Sequence, residues 1–71
     1  MEEISLREGE EFIKLGQLLK KAGMISSGVD AKFVIQDGLV TLNGEVEKRR
    51  GKKVYPGDVV TFNGESLKVI E

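Results

Sequence analysis

"SSGVDAKFVIQDGLVTLNG", residues 26–44, holds two different periodicities with Gly38 between them. Before Gly38, Ala31, Val34 and Ile35 recur at helical spacing, and Ser27 stands three residues ahead of Asp30 as a capping pair at a helix start. After Gly38 the apolar period falls to two. Asn43-Gly44 follows, the dipeptide that most readily takes the positive φ values of a two-residue hairpin turn. A capped helix running into a hairpin strand is the arrangement these residues predict.

The flanking segments extend this pattern. Upstream, in "FIKLGQLLKKAG" (residues 12–23), Leu15, Leu18, Leu19 and Ala22 fall at i, i+3, i+4 and i+7, which predicts a first helix with one apolar face. Lys20 and Lys21 then point away from that face, and Gly23 sits where a C-terminal cap belongs. Only "MISS" separates Gly23 from the second helix, so the two helices must pack as a close pair. Downstream, "YPGDVVTFNGESLKVIE" (residues 55–71) predicts a Pro56-Gly57 turn, a strand through Val59, Val60 and Phe62, a second Asn63-Gly64 turn, and a last strand through Leu67, Val69 and Ile70. "ISL" at residues 4–6 is compatible with an extra N-terminal strand. The expected fold class is α+β: two short packed helices followed by a small antiparallel sheet. No repeat, low-complexity tract or linker interrupts the chain, and residues 1–71 are expected to form a single domain.

Composition excludes much of enzyme chemistry. The 71 residues contain neither Cys nor His, so disulfides and the usual zinc, haem and iron–sulfur ligand sets cannot be assembled. General acids and bases are limited to carboxylates, Lys and Tyr55, and the carboxylates cluster at the chain ends, away from the apolar elements that would shift their pKa. Neither Ser26 nor Ser27 is expected to have a catalytic base, since helix capping accounts for at least one of them, and the glycines form no phosphate-cradling G-x-x-x-x-G-K motif. No catalytic residue, cofactor, metal or small-molecule substrate is expected. "MEEISLREGEE" lacks the basic start and apolar run of a secretory signal, and no segment approaches the roughly 20 apolar residues that span a bilayer. A cytoplasmic protein is expected.

Charge is distributed unevenly. The formal net charge is −1, yet residues 14–53 carry nine cations against four anions, while the two ends carry two cations against eight anions. Five of the cations lie in "KRRGKK", residues 48–53: Lys48, Arg49, Arg50, Lys52 and Lys53. No acid occurs within those six positions, so the cations are expected to repel one another without internal relief, and Gly51 is expected to let them converge on one curved polyanion. Lys20, Lys21 and Lys32 extend the patch if the hairpin packs beside the helices. Phosphate is the natural ligand, since Arg grips it with two donors and Lys supplies an adaptable point charge. Phe33 and Phe62 read as core or partner contacts, and Tyr55, next to the basic loop, is the stacking candidate. With so few rings, recognition of shape and backbone is favoured over base reading.

The stretches "AKFVIQDG", "VTLNG" and "VYPGDVV" stand at the spacings of A-K-x-x-I-x-x-G, V-x-V-N-G and V-x-x-G-D-x-V, with Leu42 in place of the second pattern's inner Val. Across residues 15–60 the sequence resembles the RNA-binding domain first defined in ribosomal protein S-four, the alpha-L motif, and most of all its short, stand-alone YaaA/YbcJ-type bacterial members. That resemblance implies binding of structured RNA, with ribosomal or ribosome-assembly RNA as the expected target, through the helix pair and the adjoining basic hairpin. Carried over by position, Lys32 is the basic residue of the second helix, and Lys48 to Lys53 form the basic connection before the final Gly-Asp. Many relatives carry Arg after the Ser-Ser pair; here Gly28 stands there, which shifts weight to the loop while leaving the helix amides able to receive a phosphate. The expected RNA-binding set is Lys20, Lys21, Lys32, Lys48, Arg49, Arg50, Lys52, Lys53 and Tyr55, on a monomer with no membrane partner. The alternative is a non-enzymatic protein–protein adaptor whose basic loop meets an acidic partner.

Overall fold

The computed structural model describes residues 1–71. In chain order its elements are β1 (Glu2–Ser5), β2 (Ile13–Lys14), α1 (Leu15–Lys21), α2 (Gly28–Gln36), β3 (Val40–Leu42), β4 (Glu45–Val46), β5 (Lys53–Val54), β6 (Val59–Phe62) and β7 (Glu65–Ile70). Five strands form one sheet in the order β1-β7-β6-β3-β4, and β2 pairs with β5 as a separate two-stranded ribbon. This is a small α+β fold, two helices against a sheet. No helix is long and apolar enough to cross a membrane.

Helix α2 begins where the sequence places its cap, and both helices end where the sequence places their glycines. Ser27 caps α2, its Oγ accepting the Asp30 amide at 3.2 Å. At the other end of each helix a glycine enters the left-handed region, Gly23 at φ 75° and Gly38 at φ 76°. The six-to-one and five-to-two hydrogen bonds of a Schellman motif close each end: Met24 to Leu19 and Gly23 to Lys20 after α1, Leu39 to Val34 and Gly38 to Ile35 after α2. The same device, used twice, turns the chain sharply enough to fold the helices onto each other and then release it into the sheet.

The sheet follows from two Asn-Gly turns. Asn43 and Asn63 sit at φ 53° and 54°, with Gly44 and Gly64 also positive, which sets the β3–β4 and β6–β7 hairpins. The antiparallel expectation holds for every pairing in this sheet except the one at its edge. There β1 runs parallel to β7, with Glu2 opposite Leu67 and Ser5 opposite Ile70, so the extra N-terminal strand exists and makes the sheet mixed. It starts two residues earlier than "ISL" and ends at Ser5.

The core consists of Ile13, Leu15, Leu18, Leu19, Ala31, Ile35, Val40, Val54, Val60, Leu67 and Val69, with Ala22, Val34, Leu42 and Phe62 packed at its margin. The α1 stripe is buried as its periodicity requires. Phe12 to Lys14 are not helical, however. Ile13 pairs with Val54 and contributes to the core from an extended segment, so the helix starts at Leu15.

Candidate nucleic-acid interface

The basic connection between β4 and β5 is anchored through its backbone. Helix α1 has no side-chain cap at Lys14. Its first amides instead donate to carbonyls of the loop, Leu15 to Lys52 at 2.9 Å and Gly16 to Arg50 at 3.0 Å. These are orphan donors of a helix start, satisfied here by another segment of chain. Gly16 is buried at this junction, and a Cβ placed on it would lie 2.6 Å from Arg50 Cγ. The absence of a side chain at Gly16 therefore seats the Arg50 stem across α1. Sequence reading reached the cations of the loop but not the seat that aims them. The signal was present as a glycine inside a helical stripe, which implies close approach of another group.

Arg50 in turn lines a cleft of about 360 Å3 with Lys14, Gln17, Lys20 and Gly28, at the start of α2. Three cations from three segments meet there, and no carboxylate lines the cleft. Nothing lies within 4 Å of where a Gly28 Cβ would be, so the approach to the α2 amides is open. Lys14 was absent from the sequence-derived set; it reaches the cleft because residues 13–14 are a strand and not a helical turn.

The other expected residues are dispersed. Arg49, Lys52, Lys53 and Tyr55 line a second cleft of about 490 Å3 together with Glu45, Glu47 and Asp58. Lys48 runs over the α2–β3 turn, its Cε 3.5 Å from a Cβ position on Gly38. Lys32 is exposed on α2 beside buried Ala31. Lys21 donates from Nζ to the Ser5 carbonyl at 2.9 Å, tying α1 to the end of β1. Lys53 Nζ sits 4.8 Å above the Phe12 ring, and that ring meets Tyr55 at 5.8 Å between centroids in a tilted pair. Gly51 does not adopt a positive φ; Arg50 lines one cleft, while Arg49, Lys52 and Lys53 line another.

The expectation that the loop cations lack internal relief is also corrected. Glu47, just outside the six-residue run, accepts from Arg49 Nε at 3.0 Å, from its Nη2 at 3.3 Å and from its backbone amide at 3.1 Å. The Arg49 guanidinium holds the Glu47 carboxyl below the usual carboxylate range and is itself held above its ordinary value by Glu47. Because the folded carboxyl titrates below its unfolded value, the pair's contribution is complete above the ordinary glutamate pKa of about 4.3 and is lost as pH falls through the lowered value. At neutral pH, Glu47 competes with any phosphate for Arg49. Glu47→Gln should therefore tighten binding of a polyanion and steepen the log–log salt slope by about 0.7 to 0.9, one additional cation's worth. An unchanged slope in a salt-titrated binding assay would show that Arg49 takes no part.

Two motif residues are structural. Asn43 Nδ2 donates to Asp58 Oδ1 at 3.0 Å, the Val59 amide donates to Asn43 Oδ1 at 2.9 Å, and the Tyr55 amide donates to Asp58 Oδ2 at 2.8 Å. The Asn of "VTLNG" and the Asp of "PGD" thus cross-tie two turns and hold Tyr55 in place. No group of His, Cys, Asp or Glu is placed to hold a metal ion.

Fold and site together define a small α+β module whose basic connection is clamped to a helix start, presenting a carboxylate-free cationic cleft. The sequence profile of the S4 domain matches residues 4–70, and the chain belongs to that family. A Bacillus subtilis protein named as a probable ribosome maturation protein, RlbA, is 48% identical over 54 residues, 76% of each chain. Escherichia coli YbcJ, whose name assigns it to RNA binding, is 40% identical over 58 residues, 82% of this chain and 83% of its own. The solution structure of E. coli YbcJ, described as revealing an alpha-L motif involved in RNA binding, superposes with a TM-score of 0.73 over 100% of this chain and 89% of that one, at 37% identity.

Proposed function

We propose that this protein is a non-enzymatic RNA-binding protein of the cytoplasm, in which residues 1–71 act as one domain and dock on structured RNA, ribosomal or ribosome-assembly RNA in particular. The observation that carries this reading is the cleft in which Lys14, Lys20 and Arg50 converge beside the open start of α2 without a lining carboxylate. Three cations brought together against their own repulsion form a site for a polyanion, and the adjacent helix amides favour a phosphate oxygen. Lys32, Lys48 and Lys52 widen the face along the backbone. The relatives named for RNA binding and ribosome maturation support RNA as the polyanion and the ribosome as its setting.

Crosslinking in cells, followed by sequencing of the attached RNA, tests partner class and identity at once; recovery of no RNA above background overturns the reading. In vitro, the double substitution Lys20→Gln, Arg50→Gln should weaken binding to a structured ribosomal RNA fragment about 30-fold at 0.1 M salt, at 0.7 to 0.9 decades per cation. A protein–protein adaptor would show little affinity for any structured RNA, with or without the substitutions.

A further inference from the structure

The cleft beside Tyr55 differs in chemistry from the Arg50 cleft, and we propose that it receives a single unpaired nucleobase, guanine in preference, with the ring stacked on Tyr55 and its donor edge held by Glu45. This rests on the RNA-binding reading and adds base selection to it.

Three carboxylates, Glu45, Glu47 and Asp58, line this cleft among the cations Arg49, Lys52 and Lys53. A surface meant for phosphate alone gains nothing from carboxylates, which repel it; a nucleotide needs both signs, cations for the phosphate and acceptors for the base. Two of the three carboxylates are already engaged. Both Asp58 oxygens are taken, by Asn43 Nδ2 and by the Tyr55 amide, and both Glu47 oxygens by Arg49. Glu45 makes no side-chain hydrogen bond and no ion pair, so it stands in the cleft as an open double acceptor. Tyr55 is 46% exposed, yet its ring is held by a tilted contact with Phe12 and its backbone amide by Asp58. It offers a preorganised face for stacking, which loses little freedom when a base arrives. A volume of about 490 Å3 is in the range of small-ligand sites.

Donor counting selects the base. Guanine carries its N1–H and 2-amino group side by side and can give both oxygens of one carboxylate a hydrogen bond. Adenine and cytosine offer one amino group next to an acceptor nitrogen, and uracil offers one N–H flanked by two carbonyls that face the carboxylate's charge. The expected order is guanine, then adenine and cytosine, then uracil.

The chain contains one Tyr, so its ring protons are a spectroscopic reporter of this cleft. The full chain is titrated with single-stranded pentamers UUNUU, N being each base in turn, with affinity read by anisotropy of labelled RNA and stacking by upfield shifts of the Tyr55 ring resonances. UUGUU should bind roughly tenfold more tightly than UUUUU, within the range of a bidentate pair. Glu45→Gln, which keeps one acceptor and turns the other into a donor, should reduce that ratio to about twofold or less without loss of binding to a structured RNA. Equal affinities for the four pentamers, unmoved ring resonances, or a guanine preference that survives Glu45→Gln would each overturn the base site while structured RNA still binds. Failure of pentamers and structured RNA alike would overturn the RNA-binding reading as well.

Discussion

Raising the salt from 50 to 200 mM should weaken binding to structured RNA by roughly 100- to 500-fold. The number follows from which cations remain available. Lys21 is bonded to Ser5, Lys53 sits on Phe12 and Arg49 is shared with Glu47. Lys14, Lys20 and Arg50 in the cleft, with two of Lys32, Lys48 and Lys52, leave about five phosphate contacts. At 0.7 to 0.9 counterions released per contact the log–log slope is about −3.5 to −4.5. A filter-binding or anisotropy series across salt concentrations measures it directly, and a slope near zero would reject phosphate neutralisation. The same series on the Lys20→Gln, Arg50→Gln variant should be shallower by about 1.4 to 1.8, because two contacts are gone.

Leu18→Ala should cost about 2 to 5 kcal/mol, about half of the stability a domain of this size possesses. Leu18 is fully buried at the centre of the α1 stripe, where truncation removes transfer free energy and leaves a cavity that the surrounding helix and sheet close only in part. At 0.05 to 0.15 kcal/mol per residue, 71 residues give a total of only about 4 to 11 kcal/mol. Urea unfolding followed by circular dichroism should show a large fall in midpoint. A midpoint within experimental error of the wild type would mean that α1 does not anchor the core. RNA binding should fall in parallel at temperatures where the variant begins to unfold, since the same helix carries Lys20 and receives the basic connection.

Local signals in the sequence were read correctly wherever neighbours in the chain decide the outcome. Ser27 and Asp30 start α2, Gly23 and Gly38 end the helices, and the Asn-Gly pairs turn the hairpins, because each is a contact across three to five residues. What escaped was decided at long range. Nothing around Ile13 shows that it will pair with Val54, so the β2–β5 ribbon and the place of Lys14 beside the connection are not legible locally. The parallel alignment of Glu2–Ser5 with the last strand was equally hidden, since parallel partners need no shared turn. At the site, the run of cations was legible but their directions were not. Gly16, thirty-four positions away from Arg50, and Glu47, just outside the run, determine where Arg50 and Arg49 go.

The clamp between α1 and the connection divides labour between main chain and side chain. The carbonyls of Arg50 and Lys52 complete the helix, a duty any residue at those positions can perform, while the charged groups contribute nothing to that bond. The side chains of Lys48 and Lys52 can accordingly be exchanged without breaking that bond, which frees them to be retuned toward a new target. Gly16 has no such latitude, because a larger residue there would unseat the whole connection, so drift over time should spare the glycine and rewrite the basic run.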